Sequence, residues 1–536
     1  LNSYGHFPNY DGKFGTDFTR MTQPRPSQAS SAVQLLCLEA NDAWEQQDYQ
    51  KSFQLFGQAA RKEPKNPTHL LNLALAYGKR YDYPTAERCI EKAVQISKDR
   101  AQTLSDAGQI CLEFANYDMA IRCFQRSSQK KDVSIGALIN LVDIYIRDKR
   151  LEEAAELVAR AGKIDNKDPR VLLEEAVLLS LRGKVAEAEL QFRDLKANPG
   201  ANESARICAL YELAKILDAQ GRYDDAMTAL LEAKDLVRPH AAQQVAVLQH
   251  IQSRAGEMEQ SITAAVLDRW RAGADKLQPK RRIALLCGHP RSGTTLLEQV
   301  LDSHSDIISA EETKLMHDDA YLPLIRDFPE GTSVLQALQT VPINVIRRAR
   351  ANYFRCMDMF LRQKIGGRLL VDKNPGINLL IPMVVRVFPE TKFLISLRDP
   401  RDVIVSCFMQ PLPPTPISSA YLSIEGTVKQ YANVMGFWLD MLPRMGDQWI
   451  YVRYEEMITD LPAVARSALD FLGLPFEDNV LKFYEHARAK RVNSPSRDDV
   501  KKPLYKTAVG RWRNYERYLE PYLPALERFV KAFNYD

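Results

Sequence analysis

A period of 34 residues constrains the first half of this chain more than any other feature in it. Tyr49, Tyr83, Tyr117, Leu151 and Val185 stand 34 residues apart, and Tyr223 follows after 38. Three and seven residues behind each comes a small and then a large side chain: Ser52 and Phe56, Ala86 and Ile90, Ala120 and Phe124, Ala154 and Val158, Ala188 and Phe192, Ala226 and Leu230. The stretch is rich in Ala, Leu, Glu and Gln, with turn signals between repeats at Pro64 and Pro67, Asp168-Pro169 and Pro199-Gly200. A unit of that length holds a pair of helices. The small residue lets the two helices touch and the large one fills the gap to the next pair, so stacked neighbours bury one continuous core. An array of about six repeats over residues 31–254 is expected, behind a flexible extension at 1–30 and ahead of a linker helix at 255–280. Within that extension, Leu1 to Arg20 read as an upstream addition, since Met21 opens a reasonable start.

The second half turns on Arg281 to Thr295, RRIALLCGHPRSGTT. An apolar run, Ile283 to Leu286, breaks at Gly288 and Pro290, and a small-residue turn leads into the helical run Leu296 to Leu301, which is strand, loop, helix. The first N–H groups of such a helix lack intrahelical partners and lie at the positive end of its dipole, so the loop can hold a phosphate. Gly293 lets the backbone approach closely. Ser292, Thr294 and Thr295 add hydroxyls, and Arg291 adds a fixed charge. The triphosphate-binding version of this turn, GxxxxGK[ST], needs a lysine where this chain has Thr294. Phosphate binding is therefore expected, and triphosphate-magnesium chemistry is disfavoured.

Further apolar runs end in polar residues. Ile307 and Ile308 lead to Glu311-Glu312, Arg368 to Val371 to Asp372-Lys373-Asn374, Lys392 to Leu397 to Arg398-Asp399, and Trp449 onward to Tyr454. Strands alternating with helices argue an α/β domain over 281–536, with a parallel sheet whose strand ends converge on one rim. Arg398, with Ser406 on the helix after it, offers a second phosphate subsite. Asp399 and Asp402 are expected to cap that helix. His289, His304 and His317 are expected to be structural.

The net charge of +4 over 536 residues gives no argument for nucleic acid or a membrane surface, and no run of about 20 apolar residues exists. The eight cysteines are scattered without a CxxC pair, so free thiols in a reducing, cytoplasmic setting are expected, with no metal site.

The repeat period is the tetratricopeptide signature. The motifs HPRSGTT, EET, DKNP and RDPRDVIVS, with the segment from Ser496 to Arg513, resemble the sulfotransferases that use 3′-phosphoadenosine-5′-phosphosulfate (PAPS). More narrowly, the chain resembles bacterial proteins that join tetratricopeptide repeats to a sulfotransferase domain similar to protein-tyrosine sulfotransferases. That resemblance implies a P-loop-like fold in which residues 291–295 hold the 5′-phosphosulfate while Arg398 and Ser406 hold the 3′-phosphate. Tyr454, Ser496 and Arg511 would lie against the nucleotide. Glu312 matches the family's base, Lys373 its sulfonyl-stabilising lysine, and Arg291 lies beside the transferred group. The implied reaction is sulfuryl transfer to a hydroxyl, foremost a protein or peptide tyrosine. Such a partner could be held by the repeats, which could instead act as a scaffold that shapes the enzyme or makes it a homodimer. Carbohydrate or small-molecule acceptors, a nucleotide kinase that uses the strand-end Asp372, and a binding scaffold with a silent catalytic domain are the alternatives.

Overall fold

The computed structural model describes residues 31–536 apart from 47, 330, 413, 490–499, 501–503, 505–507 and 536. The expectations for residues 1–30 and for Ser496 lie outside the described residues. The chain divides into two compact units at Pro239/His240.

In the first unit each of the six recurring positions opens a helix: Tyr49–Lys62, Tyr83–Ile96, Tyr117–Ser128, Leu151–Ile164, Val185–Ala197 and Tyr223–Val237. Each pairs with a preceding helix, as Pro67–Lys79 does with Tyr83–Ile96. The small-then-large pairs are buried throughout, with Ala86, Ile90, Ala120 and Phe124 all fully closed to solvent. Close approach is literal here: a Cβ added at Gly108 would lie 2.6 Å from the Phe124 ring. The one longer spacing has a simple cause. Helix Glu203–Ala219 has 17 residues where Pro169–Leu181 has 13, about one extra turn.

The second unit carries a five-stranded sheet, among the described residues, in the order β2-β3-β1-β4-β5, with every pairing parallel. The strands are β1 (Ile283–Gly288), β2 (Ile307–Glu311), β3 (Leu369–Lys373), β4 (Lys392–Leu397) and β5 (Trp449–Arg453). Alternation sends Ala284 and Leu286 of β1 into one core with Leu297, Val300 and Leu301 of the helix Thr294–Asp302. The reversal of strand order around β1 makes a crevice beyond the strand C-termini, where ligands of such sheets bind.

The array was expected to end at residue 254, but the helix Ala242–Ser261 belongs to the second unit. Its polar contacts explain why. Gln252 donates to Gln430 at 2.7 Å, and Arg444 donates to the carbonyls of Glu259 and Ile262 at 2.6 and 2.7 Å. The expected linker is therefore the end of this helix, a second helix Ala264–Ala272 and a short turn.

Candidate active site

Register brings the polar strand ends together. Glu311 of β2 pairs with Lys373 of β3, Lys373 with Leu286 of β1, Gly288 of β1 with Ser396 of β4, and Leu397 of β4 with Arg453 of β5. Residues one to three beyond the strand ends, Glu312, Asn374, Arg291, Arg398 and Tyr454, therefore lie along one rim. Gly288 must be glycine at this point, since a Cβ there would lie 2.4 Å from the Ser396 carbonyl. Asn378 holds the same turn from the other side, donating to the Gly288 carbonyl at 2.9 Å while accepting from Trp438 at 2.7 Å.

The loop helix Thr294–Asp302 starts from Gly293 at φ +91°, with no side-chain cap on its first N–H groups. Ser292, Thr294 and Thr295 are buried beside it. Arg291 takes φ +71°, and its Nε donates to Ser406 Oγ at 3.0 Å. Arg398 Nη1 donates to the Arg291 carbonyl at 3.3 Å, and its guanidinium lies 5.1 Å from the centre of the Tyr454 ring. Arg398 is 8% exposed, and its buried Nε has no hydrogen-bond partner among the described residues. An uncapped helix start, two arginines and an unanswered N–H donor are a donor set for phosphate. The sequence separated Arg291 from Arg398 and Ser406 as two subsites. Folded, the Arg291 side chain meets Ser406 and the Arg291 carbonyl meets Arg398.

Lys373 is the centre of the other half of the rim. It is fully buried, and its Nζ lies 2.7 Å from Glu312 Oε1, 3.3 Å from Glu311 Oε1 and 3.7 Å from Glu298 Oε2. Burial works against its charge, but the three carboxylates, Glu312 foremost, more than reverse this and hold its pKa above the ordinary lysine value. Glu312 sits at φ +49°, donating its N–H to the Lys373 carbonyl at 2.7 Å. Non-glycine residues rarely adopt that region, and Arg291 and Glu312 both do. Asp372, next to Lys373 in the strand, points to the opposite face, where Tyr353 donates to it at 2.7 Å. Burial pushes its carboxyl up to about 6. Asp372 is thus a core residue and not a rim acid.

Glu298 was missed in the sequence. Its signal was an acid in the largely apolar run Leu296 to Leu301, at a position that is now fully buried. Asp399 and Asp402 were also expected to orient the arginines, and they pair with Arg401 and Arg398 at 2.8 and 3.7 Å; as a helix cap, only Asp399 fits. Asp399 does cap its helix, accepting from the Arg401 N–H at 2.9 Å, but Asp402 accepts from the N–H groups of Gly510 and Trp512 at 2.8 and 2.9 Å. One turn into the helix it faces inward, and so it anchors the start of the segment Arg511–Tyr515. Arg511 is carried on that anchored segment. The histidines make structural contacts. His289 Nδ1 donates to the Pro290 carbonyl at 2.9 Å and lies 3.9 Å from Cys407 Sγ, its ring packs on Tyr431, and burial takes its pKa down to about 4. His304 Nε2 meets the Pro475 carbonyl at 2.9 Å, and His317 Nδ1 meets Asp318 at 2.8 Å.

Residues 284–478 match the model of the sulfotransferase family, and residues 37–101 match that of the tetratricopeptide repeat. An uncharacterised protein of Aquifex aeolicus (strain VF5) is 25% identical over 83% of this chain and 57% of its own length. A protein-tyrosine sulfotransferase of Drosophila melanogaster is 27% identical over 42% of this chain and 46% of its own. The chain thus spans about half the length of these relatives. Among solved structures, the sulfotransferase domain of the Synechococcus PCC 7002 olefin synthase is 23% identical, covering 44% of this chain and 90% of that one with a TM-score of 0.33.

Proposed function

We propose, for a chain that joins tetratricopeptide repeats to a sulfotransferase-family domain, that it transfers a sulfuryl group from PAPS to an acceptor hydroxyl, foremost a tyrosine of a protein or peptide. The observation that carries this is the Lys373–Glu312 ion pair at 2.7 Å on the rim that also holds the uncapped loop helix. Residues 291–295, Arg398 and Ser406 would hold the phosphates of the donor, with Tyr454, Ser496 and Arg511 against its nucleoside. When bound, the donor supplies the sulfuryl group and departs as adenosine 3′,5′-bisphosphate. Arg398 Nε, buried without a hydrogen-bond partner among the described residues, is the donor atom a phosphate oxygen would answer.

The chain's own groups then have distinct tasks. The Glu312 carboxylate accepts the proton of the attacking hydroxyl, for which a phenol of pKa ~10 needs only a modest base. The Lys373 ammonium faces the negative charge that spreads over the oxygens of the moving group, as cations do in phosphoryl transfer. Their contact at 2.7 Å helps keep the Lys373 ammonium charged. A peptide acceptor is the natural occupant of the surface that stacked helix pairs provide. All eight cysteines are free thiols, in keeping with a reducing, cytoplasmic setting. Among the described residues no helix is long and apolar enough to cross a membrane.

A nucleotide kinase would need Asp372 as its magnesium carboxylate, and that side chain is buried against Tyr353. Calorimetric titration separates the two activities. Adenosine 3′,5′-bisphosphate is expected to bind without metal, and Arg291→Ala or Arg398→Ala to abolish binding. ATP bound only with magnesium, and no binding of the bisphosphate, would replace sulfuryl transfer with the kinase. Turnover of PAPS that survives Glu312→Ala would remove the base, and no turnover at all would leave a scaffold.

A further inference from the structure

We propose that Glu298 is a positioning residue for the transfer step, holding the Lys373 ammonium in place from the buried side while Glu312 takes up the acceptor's proton; this rests on the sulfuryl-transfer reading above.

Three carboxylates face one ammonium, and they are not equivalent. Glu311 and Glu312 stand at the open end of β2 with side chains 14% exposed, whereas the Glu298 side chain is fully closed to solvent. Glu298 comes from a different element, the second turn of the loop helix Thr294–Asp302. Its position is defined from both ends: Oε2 lies 3.7 Å from Lys373 Nζ, and Oε1 accepts from Ser309 Oγ of β2 at 2.8 Å. An ionised carboxylate in a dry site persists because it is paired and hydrogen-bonded, and both conditions hold here.

The balance of the step shows why a second counter-ion matters. The acceptor oxygen gives its proton to Glu312 as its bond to sulfur forms and the bond from sulfur to the bisphosphate oxygen breaks. Glu312 is then neutral, and Lys373, itself closed to solvent, loses its nearest compensating charge. Glu311 and Glu298 remain, and only Glu298 is closed to solvent. Because Glu298 rides on the helix whose N-terminus forms the anion site, it also ties the position of the ammonium to that of the phosphate loop. A glutamine at 298 keeps the volume and the bond from Ser309 but removes the charge. The groups facing Lys373 would then be Glu311 and Glu312, with Asp372 turned to the other face, so the ammonium should lose its proton at lower pH.

The test uses the full-length protein with PAPS and water as the acceptor, so that acceptor identity does not enter, and reads release of the bisphosphate and sulfate. For Glu298→Gln the expectation is a fall in kcat of about tenfold or more, with the Kd of adenosine 3′,5′-bisphosphate changed by less than about threefold. The basic limb of the kcat–pH profile should move toward lower pH. Glu298→Asp should recover part of kcat. Ser309→Ala keeps the charge but loosens its aim, and should lower kcat alone; it carries the test if Glu298→Gln does not fold. A wild-type kcat and pH profile in Glu298→Gln, or in Ser309→Ala as the only folded variant, would overturn the inference. So would kcat and bisphosphate affinity falling together with the profile unmoved, since that marks damage to the loop. A wild-type protein that binds no bisphosphate or consumes no PAPS overturns the transfer reading first, and this inference with it.

Discussion

Glu312 and Asp372 are carboxylates at the ends of neighbouring strands with opposite fates, and each makes a prediction. Glu312 reaches the rim beside Lys373. Glu312→Ala should lower kcat by about 10²–10⁴, the usual contribution of a positioned base, and leave bisphosphate affinity within about twofold in calorimetry. Asp372 is buried against Tyr353 with its carboxyl raised to about 6. A raised acid favours the folded state while it is protonated. Its contribution is therefore complete below the unfolded value near 4 and is lost as pH rises through 6. Asp372→Asn should thus gain stability over the wild type between pH 4 and pH 7, by on the order of 2–3 kcal/mol. Urea midpoints of the two proteins across that range would show it, and parallel midpoints would remove the assignment. These fates were only partly legible in LLVDKN. Alternation along a strand separates Asp372 from Lys373, but which face meets Tyr353 and which meets Glu298 depends on elements far away in the chain.

At the scale of elements, the repeat helices show where local rules hold and where packing overrides them. An exposed helical glycine replaced by alanine normally gains about 1 kcal/mol. Gly108→Ala should instead cost roughly 1–3 kcal/mol, because its Cβ would meet the Phe124 ring at 2.6 Å. Thermal unfolding of the variant gives the sign directly. The turns into the second helices carry a regularity that the sequence hid. Tyr81, Ala115 and Lys149 adopt left-handed backbone two residues before those helices, at the places where Gly183 and Gly221 do so freely. Three side-chain-bearing residues and two glycines do not look alike as letters, although their φ values do. The strands were legible because each is a short apolar run with a polar end. The boundary of the array was not, because helix Ala242–Ser261 continues the helical composition and differs only in the partners it meets.

Across the whole molecule, each compact unit has its own apolar core. Calorimetric scans should therefore resolve two unfolding transitions, since multi-domain chains depart from two-state behaviour. Adenosine 3′,5′-bisphosphate at a hundred times its Kd should stabilise the unit that binds it by about 2.7 kcal/mol and leave the other transition where it was. Phe124→Ala, which empties a fully buried site in the array, should lower the other transition, by about 3–5 kcal/mol at its midpoint. A single transition shifted by both changes would show one cooperative body.

What the sequence determined by itself is everything that repeats at short range. The 34-residue period placed the starts of six helices, the apolar runs placed the strands, and the small-residue turn placed the anion loop. Each follows from backbone geometry and burial acting over one helix or one strand. Tertiary structure decided the partners. It joined Arg291 to Ser406, turned Asp402 toward Gly510 and Trp512, and put Glu298 against Lys373, 75 positions away in the chain. Strand order and register bring those residues together. Both are set by which apolar faces pack together, and no local run of residues encodes that.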